Sequence, residues 1–443
     1  MKDWQRLFIS ALIFASVVAG FPLVGTAQNP IIRNDTDGDD RLSPDEFPGP
    51  PHAFDRIDQN GDGYLTLQEL RQGRQGRRGG RSGQRGGGRF PPAPKLARTP
   101  SASWRYVDTH MHLHPIGLDN ALGHGRGGGD ERPDLAEKLE EAADKLIARM
   151  DSFGLERALI VVVPSNKLTP GEDFYLMRDA VRSQSDRLFL MAGGATLGST
   201  ILQTPPDKVT SSISSKFVAQ AKKLLSAGAR GFGEMISYHL CMTQRHSFKF
   251  ALPDHPLFLK LSDIAAKNNV PIDLHMEAIE TAAPMPENLK QACDKNPDQL
   301  TPTIPSLEQL LAHNRITRIV WQHVGWDNVG QMKPVLLDRL LRQNKNLFMA
   351  LRVERRPNQV GGGGPMPNRI VDTNANIHPE WLKLMTDHQD RLVIGSDEFV
   401  GPSGKEPKGA ASYTDTWAMV SRLPPDIAAK IGRENALRIY NLR

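Results

Sequence analysis

Cysteine is nearly absent from this chain: Cys241 and Cys293 are the only two in 443 residues. Two cannot build a disulfide scaffold, and they lack the spacing of a metal site. They can form one bridge if the compartment is oxidising. Long apolar runs are also scarce. One extends from Leu7 to about Gly20, and no other stretch is apolar enough to cross a membrane. A span needs about 20 apolar residues, so even this run is short for an anchor. A P-loop is missing too: Gly401-Pro402-Ser403-Gly404-Lys405 lacks the spacing and the strand–helix context.

What is present falls into four segments. Lys2 and Arg6 precede the first apolar run, and Gly25-Thr26-Ala27 follows it as a small-residue cleavage site. That is the pattern of a secretory signal over residues 1–27, with an uncleaved anchor as the alternative. No cysteine stands nearby for lipid attachment. The expected product is exported, periplasmic or extracellular.

Residues 28–70 read as a pair of EF-hands, a small α-helical calcium module. Asp58, Asn60 and Asp62 supply oxygens at loop positions 1, 3 and 5, Tyr64 a backbone carbonyl, Gly63 the sharp turn and Glu69 the bidentate carboxylate. An upstream copy repeats the ligands with Asp35, Asp37, Asp39 and Glu46, but puts Asp40 where glycine is expected. Leu42 and Leu65 occupy the apolar positions that pair two such loops. Outside a cytoplasm, calcium here would stiffen structure, with a dissociation constant of about 10⁻⁴ to 10⁻³ M.

Residues 71–98 are a linker with no means of burying a core, expected to be disordered. Seven arginines and no acid lie between Arg71 and Arg89. Without them the formal charge of +5 becomes about −2, so the basic balance says little about the rest of the chain. Contact with an anionic surface suits such a segment; nucleic acid is not an expected partner of an exported protein.

From residue 99 to 443 short apolar runs alternate with helical patterns. The strands fall at 105–110, 158–164, 188–193, 229–235, 271–275, 318–323, 347–352 and 392–397. Helical stretches between them include 135–150, 214–226, 256–268, 331–343 and 379–387. Eight such units predict an α/β fold, a (β/α)8 TIM barrel, with its chemistry where strands end. Glycine-rich stretches at Gly123–Gly129 and Gly361–Gly364 follow strands 1 and 7, as lids or as simple disorder.

The strand ends carry metal-competent side chains. His110 and His112 are two apart on a strand and so share a face. His275, His323 and Asp397 end three later strands, in PIDLH, RIVWQH and RLVIGSD. Neutral imidazole and carboxylate suit zinc, or manganese, as a divalent transition metal. His110, His112 and His275 would give three nitrogen ligands and Asp397 an oxygen. A bound ion lowers the pKa of water toward about 7, and Asp397 can take the proton as general base. Glu234, in GARGFGEM, is a further metal ligand or a holder of a substrate hydroxyl or amine. Arg352 is a candidate clamp for a substrate carboxylate, with a salt bridge to Glu354 as the plain alternative. His239 and Glu277 lie close enough to line the pocket, Trp326 and Phe399 to wall it, and His114 sits just beyond the first pair.

The strings VDTHMHLHP, LH, QH, GSD and the C-terminal ENALRIYNL, in this order, resemble the amidohydrolase superfamily. The nearest type is amidohydrolase family 2, which includes aminocarboxymuconate-semialdehyde decarboxylase and several lactonases. The resemblance covers about Tyr106 to Arg443. It implies a metal-dependent hydrolase of amide, lactone or ester bonds acting on a small molecule, with His323 polarising the substrate carbonyl, or binding a second metal. It implies too that Glu234 could stand where two-metal members carry a bridging lysine or glutamate. Members of the same family are decarboxylases, which is the enzyme alternative. A non-catalytic calcium-dependent binding protein is the alternative of another class.

Overall fold

The structure, a computed structural model, describes residues 41–43, 46–47, 54, 57–58, 64–66, 105–113, 133–162, 171–244, 246–356, 366–402 and 413–442. The signal segment 1–27, the linker 71–98, both glycine-rich stretches, His114 and the calcium-loop residues Asp35, Asp37, Asp39, Asn60, Asp62 and Glu69 lie outside them. The chain divides between Gln84 and Arg85 into two units.

In the first unit Leu42 and Leu65 form an antiparallel bridge, with N–H···O distances of 3.0 and 2.8 Å. Both side chains are buried with Phe54, and Phe47 and Ile57 pack against them. These are the two apolar positions marked above as loop partners. Glu46 accepts from the backbone N–H and the hydroxyl of Ser43, at 2.9 and 2.8 Å. The Asp58 N–H donates to the Phe54 carbonyl.

The second unit is a closed barrel of eight parallel strands: β1 Tyr106–Leu113, β2 Leu155–Val161, β3 Leu188–Gly193, β4 Phe232–His239, β5 Ile272–Met276, β6 Ile319–Val324, β7 Leu347–Leu351 and β8 Leu392–Ile394. Neighbours in sequence are neighbours in the sheet, and β8 returns to β1 with Asp108 opposite Ile394. A ninth strand, β9 Glu398–Val400, continues along β1. Helices follow the strands: α1 Pro133–Phe153, α2 Glu172–Ala180, α3 Ser211–Ser226, α4 Pro256–Lys267, α5 Ile304–His313, α6 Pro334–Gln343, α7 Pro379–Asp387 and α8 Tyr413–Val420. The strands are apolar on both faces because one face meets the helices and the other fills the barrel.

The outer layer joins Trp321, Trp381 and Trp417 with apolar helix residues. The inner layer holds Val107, Leu159, Val161, Phe189, Met191, Val320, Phe348, Ala350 and Val393. Ala436, Leu437, Ile439, Tyr440 and Leu442 pack into the same layer, so the C-terminal turns plug it from below.

Several strands sit differently from the pattern read above. β1 runs on past 110 to Leu113, and β2 is Leu155–Val161 rather than 158–164. β8 stops at Ile394, before the left-handed turn at Asp397, rather than at 397. β4 differs as well. The stretch 229–235 was expected as strand 4, whereas β4 starts at Phe232 and runs on to His239. Lys249–Phe250 then folds back antiparallel on its end, as a hairpin. Cys241 in that hairpin is bridged to Cys293.

Candidate metal centre

His110 and His112 project inward from β1, while Met111 and Leu113 between and beyond them join the outer core. The outer nitrogen of each ring is spoken for. His112 Nδ1 lies 2.8 Å from the Val161 carbonyl oxygen, which only accepts, so that nitrogen carries the hydrogen. His110 Nδ1 lies 3.0 Å from Gln322 Oε1 and donates to it. A neutral imidazole protonated at Nδ1 has a bare lone pair at Nε2. The two Nε2 atoms face each other at 3.2 Å, and His112 Nε2 is 3.0 Å from Asp397 Oδ1. His110 Nε2 is 3.8 Å from the same oxygen.

Three electron-pair donors thus converge in a buried place, with their hydrogens turned away. Such an arrangement is repulsive unless a cation or an added proton sits among them. The donor set, two imidazoles and a carboxylate, fits a divalent transition metal. His110, His112 and Asp397 bring their ligand atoms within 4.8 Å of one another, and so do His110, Glu234 and His323.

His323 and Asp397 reach the site by an unusual backbone route. Alternation along β6 turns Val320 and Gln322 inward and Trp321 outward, so His323 would point out. Its φ of +59° swings it in, and Asp397 after β8 has a φ of +57°. Left-handed backbone at non-glycine residues costs on the order of 1–3 kcal/mol and clusters at functional sites. Local bonds hold the two turns: the Asp397 N–H donates to the His110 carbonyl at 2.8 Å, and the Trp326 N–H to the His323 carbonyl at 2.9 Å. Gly325 completes the second turn with a φ of +102°, where a Cβ would come within 2.5 Å of Ile370.

Glu234 and His275 form the other half. Glu234 Oε1 accepts from His275 Nδ1 at 2.6 Å and from His323 Nε2 at 2.7 Å. His275 therefore faces Glu234 through Nδ1, rather than joining the His110–His112 pair as its third nitrogen. The shared acceptor orients both imidazoles. Regular alternation would put Glu234 and His239 on opposite faces of β4. Its pairing with β5 slips between Phe232 and Met235 and again between Ile236 and Tyr238, which lets both reach the site. His239 Nδ1 donates to the Ser247 carbonyl, and its ring packs on His275 with centroids 4.9 Å apart.

Arg352 Nη1 binds Asp397 Oδ2 at 2.9 Å, not Glu354, which pairs with Arg356. The guanidinium lies 3.6 Å from the centre of the Trp326 ring. Phe399 stacks on His112, with ring centroids 4.3 Å apart. Glu277 is buried and accepts from Asn328 Nδ2 at 2.6 Å.

The charges follow from these contacts. Burial pushes Asp397 up, and Arg352, His323 and His112 outweigh it, leaving the carboxyl far below its ordinary range. Burial acts likewise on Glu234, where His275 and His323 win and hold it ionised. His110 is pulled down to about 3 by burial and by His323, so it stays neutral. Burial opposes charge on His112, but the Asp397 carboxylate beside it, and then Glu234, raise its pKa.

Two supporting residues escaped the sequence reading. Gln322 precedes His323, and simple alternation cannot send both inward. Asp108 is wholly buried, and its Oδ1 accepts from the His110 N–H at 3.0 Å and the Ser396 N–H at 3.1 Å. It clips β1 to β8 beside Asp397. Its place two residues before His110 was the available signal.

No family model and no curated protein matches the chain. Solved structures do show likeness. A probable 2-pyrone-4,6-dicarboxylic acid hydrolase from Acinetobacter baumannii is 15% identical, with a TM-score of 0.42 over 76% of this chain and 99% of that one. A 5-carboxyvanillate decarboxylase from Novosphingobium aromaticivorans, complexed with manganese, is 14% identical with a TM-score of 0.42 over 77% and 98%. An amidohydrolase 2 from Bifidobacterium longum is 13% identical with a TM-score of 0.40 over 76% and 99%.

Proposed function

We propose that the barrel is a metal-dependent hydrolase of amide, lactone or ester bonds in a small molecule. The observation that carries this reading is the convergence of two bare Nε2 atoms and the Asp397 carboxylate, with both ring hydrogens committed outward. His110, His112 and Asp397 would hold a divalent transition metal, zinc or manganese, with Glu234, His275 and His323 beside it. Bound there, such an ion activates water and polarises a carbonyl.

The chain's own residues supply the proton handling. Asp397 is kept ionised and is oriented through Oδ2 by Arg352, so it is ready to take a proton from water. His323 gives its Nε2 hydrogen to Glu234, which leaves Nδ1 bare and buried 3.9 Å from Asp397 Oδ2. That nitrogen can take the proton on and, once protonated, donate to the substrate carbonyl.

The remaining parts of the proposal stand on separate grounds. Export is supported by the N-terminal charge, apolar and cleavage pattern, and by the Cys241–Cys293 bridge, which suits an oxidising compartment. Calcium binding by the first unit is supported by the loop spacing and by the Leu42–Leu65 bridge. The arginine-rich linker suits an anionic surface.

The test is activity on a panel of amides, lactones and esters, using metal-stripped and metal-reloaded protein and an Asp397→Asn variant. Asparagine tolerates left-handed backbone, so the variant removes charge with little strain. We expect turnover to return with metal, and Asp397→Asn to lose at least about a hundredfold in kcat. Carbon dioxide release from a substrate acid, without hydrolysis of any panel member, would replace this reading with the decarboxylase. Undiminished turnover in Asp397→Asn would remove Asp397 as the base.

A further inference from the structure

The hairpin after β4 carries a cation that the proposed chemistry leaves unused. Lys249 stands directly opposite His239 in the antiparallel pairing. Directly opposed residues share a face, with Cβ atoms roughly 5 Å apart. His239 packs on His275, and His275 is bound to Glu234, so the Lys249 side chain is on the side of the hairpin that meets the metal-ligand cluster. Lys249 is half-buried, yet it makes no hydrogen bond or ion pair among the described residues. Burial lowers its pKa, and the Glu234 carboxylate counters this. A solvated surface lysine would show neither feature.

The hairpin is also fastened. Cys241 is bridged to Cys293, and Asn296 Nδ2 donates to the Cys241 carbonyl at 2.9 Å while Asn296 Oδ1 accepts the Cys241 N–H at 2.8 Å. Lys295 Nζ donates to the Gln244 carbonyl at 2.7 Å and to that of His246 at 3.2 Å. Ser237 Oγ donates to the Ala251 carbonyl at 2.7 Å, closing the hairpin beyond Lys249. These restraints fix the backbone from which the lysine projects, on the face it shares with His239. Arg352 is committed to Asp397.

We infer that Lys249 binds a negatively charged group of the substrate, a carboxylate, so that the substrate class is anionic small molecules. The inference rests on the proposed hydrolase and names what its pocket selects. A partly desolvated ammonium that makes no hydrogen bond among the described residues gains most from a ligand that brings a charge-assisted one. The carboxylate would anchor the substrate at the rim, with the scissile bond directed toward Asp397. Nothing covalent forms at Lys249; its role is positioning and selection.

Glutarate and its neutral diamide serve as a matched probe pair, titrated calorimetrically into the full chain loaded with metal. Wild type, Lys249→Met and Lys249→Arg are compared, and transition-metal content is measured on each. The Lys249→Met variant should lose roughly tenfold or more in glutarate affinity, while diamide affinity stays within about twofold and Lys249→Arg keeps most of the glutarate binding. Glutarate should also slow acetylation of Lys249 by acetic anhydride, read by peptide mass spectrometry. Equal glutarate affinity in wild type and Lys249→Met, at equal metal content, overturns the inference and leaves the hydrolase reading standing. No glutarate binding by metal-loaded wild type overturns it as well. A wild type that takes up no transition metal defeats the underlying reading instead.

Discussion

At the residue scale, metal affinity depends on which nitrogen of each imidazole carries the hydrogen. The pair His110 and His112 was legible because a strand alternates, and the structure turns both inward as that rule requires. His323 and Asp397 were legible as residue types at strand ends, but not as neighbours, because positive φ values rather than alternation bring them in. Lys249 gave no signal, since only the antiparallel fold-back of Lys249–Phe250 on β4 puts it beside His239. Gln322 was hidden for the same kind of reason, and it is the sharper test. Replacing it with leucine removes the acceptor for His110 Nδ1 while keeping volume. The ring is then free to take the wrong tautomer, and metal affinity should fall about 10- to 100-fold with the circular dichroism spectrum unchanged. Chelator competition reads this, and an affinity equal to wild type would contradict the role given to Gln322.

At the element scale the eight strands were legible from short apolar runs, since both faces of each are buried. The limits of β4 were less so. The true strand passes through Glu234 and ends at His239, and its two slips in pairing leave no mark in hydrophobicity. Between the outer helices, polar contacts set part of the acid response. Asp338 on α6 binds Arg342 at 2.9 Å and His388, just after α7, at 2.8 Å. The Arg342 bond, followed by that to His388, pulls its carboxyl down from 3.8 to about 2. The folded value is the lower one, so the stabilisation is present above pH 3.8 and fades as the pH falls through about 2. In an Asp338→Asn variant that contribution is missing throughout. Its stability deficit against wild type should shrink as the pH drops across this window, measured by denaturant melts. A deficit independent of pH would show that the contact contributes no linkage. The effect is small because Asp338 is a third exposed.

At the scale of the whole molecule, the barrel depends on a segment distant in sequence from the site. Tyr440 is completely buried in the inner layer and donates to Asp273 Oδ1 at 2.7 Å. Truncation to alanine should cost about 3–5 kcal/mol in unfolding free energy, as for other large buried aromatics. A loss under about 1 kcal/mol would mean the C-terminal plug is not part of the cooperative core. The ENALRIYNL string announced this segment only through the family it resembles; no periodicity in it reveals that its apolar residues fill a barrel. Converging, hydrogen-free donors should hold a transition metal, and elemental analysis of the full chain after dialysis, with calcium counted separately, reads this beside a His110→Ala variant of confirmed fold. At least about one transition-metal ion per chain is expected in wild type, lost in His110→Ala. A wild type that stays empty after reconstitution with zinc or manganese would contradict it, as would a His110→Ala protein that keeps the same metal content.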